Sequence, residues 1–123
     1  MSDTTWQDTL NTTHLAPGGW YGCAAPDGWE TLILTTHAQL AFIDPDYKIQ
    51  QIKEKFGTLR YYYDTNKTGI EHDIMNAIVS TAEARSAHTC QNCGKHGTLR
   101  GGYWMATLCD NCHEQTQQNQ PER

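Results

Sequence analysis

The chain has 123 residues with a formal net charge of −5, and 37 % of its residues are hydrophobic. That length fits one compact domain with a modest core, which a bound metal ion would help to stabilise. An acidic chain is poorly suited to non-specific DNA binding, because that binding depends on phosphate contacts, and it suits protein or small-molecule partners better.

The sequence also bears on the compartment in which the protein works. No run approaches the roughly 18 apolar residues of a membrane span. The polar N-terminus MSDTTWQDTLNTTHL lacks the basic and apolar regions of a signal peptide. We therefore expect a cytoplasmic protein with no membrane association, in which four of the five cysteines are metal ligands and disulfides are absent.

The two ends of the chain differ in composition from its centre. Residues 1–26 are rich in Thr, Gly and Pro, and we expect an irregular N-terminal arm with one helical turn near 6–10. Residues 115–123 are polar and rich in glutamine, which predicts a disordered tail. Between them the pattern predicts an α-β-β-α core over 27–88 and a cysteine-rich unit over 89–114.

Two helices are predicted in the core. The first begins at Asp27 with the spacing of a capping box and ends near Ile43, because the residue before Pro45 is disfavoured in a helix. The second begins after Thr68, which has capping-box spacing to Glu71. Helical spacing predicts the buried stripe of this second helix: Ile70, Ile74, Ala77, Ile78 and Ala82.

Between the helices, the segment 47–64 predicts a β-hairpin. Gly57 and Thr58 separate two β-prone runs, YKIQQIKEKF and LRYYYD. Strand alternation assigns Ile52 and Phe56 to one face of the first strand. We therefore expect an α+β fold that consists of a helix, a β-hairpin, a second helix and a C-terminal four-cysteine zinc ribbon.

The cysteine-rich unit contains the most specific motif in the chain. Two C-x2-C pairs are separated by fifteen residues, and each pair can form a knuckle that directs two thiolates at one tetrahedral Zn²⁺. Gly94 follows the second cysteine, where a tight turn often requires a positive φ. Because four thiolates fill the coordination shell of zinc, we predict one structural zinc ion bound by Cys90, Cys93, Cys109 and Cys112.

Two alternatives exist for this motif. The cysteines can form redox or disulfide pairs, which an intracellular chain disfavours, or His88, His96 or His113 can replace one thiolate. Four well-spaced thiols make that replacement unnecessary, so we expect the histidines at the surface or as hydrogen-bond donors to the ligands. Between the two pairs the basic residues are Lys95 and Arg100, which is weak support for nucleic-acid binding by the ribbon.

The hairpin concentrates positive charge. Four of the nine basic residues lie in 48–60 with one acid, Glu54, and three tyrosines follow. Cations beside aromatic rings can hold an anionic ligand, since the cations meet phosphates and the rings stack on bases. In the alternative, the lysines protect an edge strand and the tyrosines pack on the helices. The hypothetical ligand-binding residues are Lys53, Lys55, Arg60, Tyr61, Tyr62 and Tyr63.

Other chemistry-bearing residues give weaker signals. We expect Cys23 to be a small buried residue and His37 to lie at the edge of the core. Glu71 and its two neighbours, a histidine and an aspartate, lie in the first turn of a helix, where acidic side chains interact favourably with the helix dipole. Successive side chains of a helix also point in different directions, so these three are not expected to form one catalytic site. The sequence contains no Walker, GxGxxG or HExxH motif, and we expect no enzyme activity.

The segments DGWETLI, QIKEKFGTLRYYYD, a helix containing Ala and Glu, and CQNCG…LCDNC follow one another in this order. Together they resemble a family of small uncharacterised proteins of bacteriophage and prophage genomes. That family shares a KEKFG-x-LR-[FY]-Y core and a two-CxxC zinc-binding tail, and the resemblance covers roughly residues 26–114. It implies a phage or prophage origin and supplies no catalytic residues.

Three functions follow as hypotheses. The first is a zinc-stapled binding protein that inhibits or sequesters a host protein, including a component of host defence. The second is a binder of an anionic nucleotide ligand through the basic, tyrosine-rich hairpin. The third is a nucleic-acid-binding zinc-ribbon regulator, which the negative charge opposes. Two helices on one hairpin would also leave a sheet edge at which a homodimer can form.

Overall fold

The computed structural model describes residues 5–16, 22–101 and 105–118. Within these ranges the chain has a mixed α+β architecture, with four α-helices, a three-stranded sheet and a two-stranded sheet. None of the described helices is long and apolar enough to span a membrane. The elements in chain order are α1 (Trp6–His14), β1 (Gly22–Cys23), α2 (Glu30–Ile43), β2 (Lys48–Lys55), β3 (Thr58–Asp64), α3 (Gly69–Ser86), β4 (Thr98–Arg100), β5 (Ala106–Leu108) and α4 (Asp110–Gln118).

The N-terminal segment is more regular than the expected irregular arm. In place of one helical turn, α1 is a helix of 9 residues. It begins with a reciprocal capping box, in which the Thr5 hydroxyl accepts from the Asp8 N–H at 3.1 Å and the Asp8 carboxylate accepts from the Thr5 N–H at 3.4 Å. Further on, β1 joins the sheet as a parallel neighbour of β2. The described part of 1–26 therefore belongs to the folded core, into which α1 inserts Leu10.

A short 3-10 turn, Asp27–Trp29, precedes α2. The predicted capping of this helix by Asp27 is wrong. Its carboxylate instead accepts hydrogen bonds from Trp6 Nε1 at 3.0 Å and Gln7 Nε2 at 3.1 Å, and these two bonds lower the pKa of Asp27. This residue therefore ties α1 to the start of α2, which ends at Ile43 as predicted.

The predicted hairpin is confirmed, with β2 and β3 antiparallel around a turn at Phe56 and Gly57. Both turn residues have positive φ, 54° and 83° respectively. Because Phe56 leaves the strand there and is 64 % exposed, the prediction that it shares a face with Ile52 is wrong. A register shift between Ile49 and Gln51 explains how Ile49 and Ile52, three residues apart, both enter the core.

The second predicted helix forms as α3, but its buried face differs from the predicted stripe. Ile70 is 76 % exposed and Ile74 is 46 % exposed. The predicted capping box is wrong, because the Thr68 side chain makes no capping hydrogen bond and Glu71 instead forms an ion pair at 3.9 Å with Lys67. The residues of α3 that are buried are Met75, Val79, Ala82 and Ser86.

Side chains of α3 contact the outer edge of β3, an edge of the hairpin at which a homodimer can form. The N–H groups of Leu59 and Tyr61 on β3 point away from β2. The Leu59 N–H donates to Ser86 Oγ at 2.8 Å, and the Tyr61 N–H donates to Glu83 Oε2 at 3.0 Å. These two donors are therefore used within the chain, which protects the edge from pairing with another strand.

The core lies between one face of the sheet and helices α1, α2 and α3. It contains a chain of hydrogen bonds, in which the Tyr47 hydroxyl lies 2.6 Å from His37 Nδ1 and 2.6 Å from the Tyr61 hydroxyl. The ring centroid of His14, at the end of α1, is 4.5 Å from that of His37. Burial raises the pKa of both tyrosines and of the buried Cys23 thiol. Burial and the neighbouring His14 lower the pKa of His37.

The C-terminal unit docks on two separate parts of this core. At the start of α2, Trp29 Nε1 donates to the Thr89 carbonyl oxygen at 2.9 Å. At the hairpin turn, the buried Thr107 hydroxyl donates to the Gly57 carbonyl oxygen at 2.7 Å. The unit is therefore fixed against both the helical and the sheet part of the fold.

The interior of the C-terminal unit is a small antiparallel hairpin, β4–β5, between the two cysteine pairs. Helix α4 then continues to Gln118, so residues 115–118 are helical, which corrects the expectation of a disordered tail for that part. The remainder of the predicted tail, 119–123, lies outside the described residues.

We expect acid to destabilise the fold through His37. Its folded-state pKa is below the ordinary value of 6.5, so the unfolded chain binds a proton first as the pH falls. The contribution of His37 to the free energy of unfolding is therefore fully present above about pH 6.5 and is lost below it. Denaturant unfolding between about pH 7.5 and 5 should show a weaker pH dependence for His37→Gln than for the wild type. Equal pH dependence in the two proteins would contradict this.

Gly28 lies where the C-terminal unit approaches the core too closely for a side chain. Its N–H donates to the Gln91 carbonyl oxygen at 2.8 Å, and a Cβ there would lie 2.2 Å from the Cys90 carbonyl oxygen. Gly28→Ala should therefore displace the cysteine-bearing turn and lower the free energy of unfolding by about 1–3 kcal/mol. Gly101→Ala, with nothing within 4 Å of the added Cβ, should change it by less than about 0.5 kcal/mol. Equal unfolding free energies of the two variants would refute the close contact.

Candidate metal centre

The two cysteine pairs converge on one point in the C-terminal unit. The sulfur atoms of Cys90, Cys93, Cys109 and Cys112 all lie within 4.8 Å of one another. The Sγ atoms of Cys93 and Cys109 are 3.7 Å apart. Across the part of the chain that the structure describes, no other three His, Cys, Asp or Glu side chains come together in this way. The four cysteines can therefore hold a metal ion.

The turn that follows α3 carries the first pair. The Cys90 N–H donates to the Lys95 carbonyl oxygen at 2.7 Å, and the Gly94 N–H donates to the Cys90 carbonyl oxygen at 3.0 Å. Gly94 has a φ of 84°, which confirms the predicted positive-φ turn. The turn also directs the Cys93 N–H towards Cys90 Sγ, at 3.5 Å. Local backbone geometry thus sets the spacing of these two sulfur atoms.

The second pair spans the junction between β5 and α4. Cys109 follows the strand, and Cys112 lies in the first turn of the helix. The Cys112 N–H donates to Cys109 Sγ at 3.4 Å, which repeats the arrangement of the first pair. Asn92, from the first turn, donates through Nδ2 to Cys112 Sγ at 3.3 Å and links the two pairs. Such N–H donors stabilise thiolates and orient them towards an ion.

The four sulfur atoms have different environments. Cys90 and Cys112 are buried, whereas Cys93 is exposed. Burial opposes the ionisation of Cys90, but the backbone N–H groups of Cys109, Cys93 and Asn92 outweigh it and lower its pKa to about 6. Asn92 also favours the Cys112 thiolate, yet the neighbouring cysteine sulfurs and burial raise the pKa of Cys112 to about 12. Four thiols this close cannot all ionise unless a cation compensates their charge.

The neighbouring histidines and arginine make other contacts. The rings of His88 and His96 stack on each other with centroids 6.0 Å apart. Neither these two residues nor His113 belongs to the ligand cluster, which consists of cysteines alone. Arg100, one of two basic residues between the cysteine pairs, forms an ion pair at 2.7 Å with Asp110. It thereby braces β4 against the start of α4, so its charge is already compensated within the unit.

The structure divides the six residues of the predicted ligand site between the two faces of the sheet. Tyr61 is 3 % exposed, and the Tyr63 hydroxyl donates to Asn76 Oδ1 at 2.5 Å, so both tyrosines pack against the helices. Lys53 is the register partner of Arg60, and both stand on the opposite face because side chains alternate along a strand. The six residues therefore do not form one site, since Tyr61 belongs to the core and Tyr63 packs against it.

The remaining four residues, Lys53, Lys55, Arg60 and Tyr62, share the face that points away from the helices, and we refer to them as the basic face. Arg60 Nη1 donates to Thr58 Oγ1 at 2.8 Å, which directs the guanidinium towards Lys55, the register partner of Thr58. Tyr62 is 47 % exposed. These residues thus form an open patch that combines three cations with an accessible aromatic ring.

A groove that the sequence did not predict runs along the outer side of α2 and α3. It has a volume of about 980 Å³, and a second region of about 690 Å³ continues it over α2. Ile74 and Ile78 of α3 line it, and Phe42 at the end of α2 is 89 % exposed beside it. We refer to this feature as the helical groove. The sequence signal for it is the apolar stripe predicted on α3, of which Ile74 and Ile78 line the groove.

Comparisons with protein-family models, with curated proteins and with solved structures found no match. The resemblance to small phage proteins therefore stays an expectation from the sequence.

Proposed function

We propose that this protein is a non-catalytic binding module, folded around one structural zinc ion, whose partner is a protein that inserts a basic amphipathic helix into the helical groove. The observation that carries the proposal is the apolar part of the groove over α2, which Leu34, Ile78 and Phe42 line, with Phe42 89 % exposed at its rim. Contiguous apolar surface of this kind marks interaction sites in monomeric proteins. The resemblance to phage proteins implies a host protein as the partner, which the module would inhibit or sequester.

The donor set and spacing of the metal centre favour zinc. A tetrahedron with Zn–S bonds of about 2.3 Å separates its sulfur atoms by about 3.8 Å. The Sγ atoms of Cys93 and Cys109 are 3.7 Å apart. A small hairpin with a CxxC pair at each end is also the architecture of a zinc ribbon. Four protein thiolates leave no open position for water or substrate, so the ion would act as a structural staple.

The charges around the helical groove favour a basic partner. Asp27 and Glu30 line its end near the metal centre, where Arg85 is the accompanying cation. At the start of α3, Asp73 is exposed, whereas the Glu71 carboxylate already forms an ion pair with Lys67 at 3.9 Å. A partner helix with an apolar stripe and flanking lysines or arginines would match both the groove and these carboxylates.

Zinc should be present at one ion per chain, and its removal should unfold the C-terminal unit, because metal binding and folding are coupled in such sites. Metal analysis should find a much lower zinc content in Cys112→Ser. Cys23→Ala, which removes the cysteine outside the cluster, should retain one zinc. Circular dichroism and thermal melting should show that the chelated protein is less helical and melts at a lower temperature. An apo-protein as well folded as the zinc-loaded one would refute the structural role.

Groove binding can be tested with an idealised helical peptide of Leu and Lys, which supplies an apolar stripe and positive charge. The Phe42→Glu, Ile74→Glu double variant should weaken peptide binding at least about tenfold, because two charges enter the apolar contact. Both side chains are exposed, so the fold should persist. The Ser80→Glu, Gln115→Glu variant adds the same charge at exposed positions outside the groove and should bind like the wild type.

Two further measurements make this test decisive. A scrambled peptide of identical composition has no apolar stripe and should bind much more weakly than the helix. Light scattering should find a monomer. If the scrambled peptide binds as tightly as the helical one, the interaction depends on charge alone. If light scattering finds a dimer that Phe42→Glu dissociates, the groove is the contact with a second copy of this chain. Either outcome would overturn the proposal of a protein partner.

A further inference from the structure

Positive charge is concentrated on the basic face, although the chain as a whole is acidic. The segment 48–60 holds four of the nine basic residues. Its one acid, Glu54, does not neutralise them, because its carboxylate turns towards the hairpin turn and accepts the Gly57 N–H at 2.6 Å. Glu54 is also the register partner of Leu59, whose side chain is in the core, so it belongs to the opposite face. The fold thus removes the only acid of the segment from the basic face.

Like charges face one another on this surface. Lys53 and Arg60 are direct register partners, and cross-strand partners have Cβ atoms only about 4.5–5.5 Å apart. Juxtaposed like charges destabilise a sheet unless an anion lies between them. The ion pairs among the described residues involve Lys67 and Arg100, which lie elsewhere. The positive charges of the basic face are therefore available to an external anion.

Accessible aromatic rings accompany these cations. Tyr62 is on the same face and is 47 % exposed, and Phe56 at the hairpin turn is 64 % exposed. The Lys55 Nζ lies 5.7 Å from the centroid of the Phe56 ring. Aromatic rings next to lysine and arginine on a sheet surface can stack on nucleobases while the cations contact phosphates.

We propose that the basic face binds single-stranded nucleic acid. The basic face runs from Gln51, the register partner of Tyr62, to Lys55, which is about 13 Å along the strand and can contact a short stretch of a single strand. A double helix would offer its phosphates but hide the base faces from Tyr62, so the rings favour a single strand. This function is independent of the helical groove, which lies on the other side of the sheet.

The test uses the zinc-loaded full chain and a fluorescently labelled single-stranded 12-nucleotide probe, as DNA and as RNA. With three phosphate contacts, the plot of log K against log salt should have a slope of about −2.1, or about 18-fold weaker binding between 50 and 200 mM salt. Lys53→Gln with Arg60→Gln should reduce the slope to about −0.7. Lys67→Gln with Lys95→Gln changes the net charge equally and should preserve the wild-type slope.

The contribution of the aromatic ring is tested separately at an exposed position. Tyr62→Ala should weaken binding by at least about fivefold, because base stacking is lost. Tyr62→Phe keeps the ring and should bind like the wild type. This pair also keeps the proposal testable if the double charge variant fails to fold. A duplex of the same sequence should bind more weakly than the single strand.

Four outcomes would overturn the proposal. The first is that the wild type does not bind the probe at 50 mM salt, and the second is that Lys67→Gln with Lys95→Gln weakens binding as much as Lys53→Gln with Arg60→Gln. The third is that Tyr62→Ala and Tyr62→Phe bind the probe equally well. The fourth is that poly-glutamate displaces the probe as effectively as an unlabelled oligonucleotide does. The last outcome would assign the basic face to an acidic protein instead.

Discussion

The C-terminal unit is held against the core at two places, by the Trp29–Thr89 hydrogen bond and by the Thr107–Gly57 hydrogen bond. Its strands are only 3 residues long, so it cannot build a hydrophobic core of its own. Its internal order therefore depends on the cross-link that a metal ion bound to the four cysteines can provide. Its position depends on the close backbone contact of Gly28 with Cys90 and Gln91. A structural ion at the cysteines would stabilise the hairpin turn and the start of α2 together.

The sheet separates two surfaces of opposite character. Helices α1, α2 and α3 cover one face, and the outer side of α2 and α3 presents the helical groove. The other face presents the basic face. Helix α3 links the two, because Glu83 and Ser86 close the edge of β3 while Ile74 and Ile78 line the groove. A chain of net charge −5 can in this way present a cationic surface without being basic overall.

Two sequence predictions failed for reasons of tertiary packing. The apolar stripe of α3 was assigned to the core, but Met75 and Val79 occupy the core and leave Ile70 exposed. Asp27 was assigned a capping role, but α1 supplies donors from Trp6 and Gln7 that compete for its carboxylate. Helical periodicity identifies an apolar face and a capping residue, but it does not say which neighbour will contact them.

The sequence by itself determined the features that depend on local spacing. These are the end of α2 before Pro45, the hairpin around Gly57, and the two CxxC turns with Gly94 at positive φ. Only the tertiary structure decided which side chains meet across the fold. It brought the four sulfur atoms within 4.8 Å, buried Tyr61 while leaving Tyr62 exposed, and formed the helical groove. Those outcomes depend on contacts between residues distant in sequence, which no local pattern encodes.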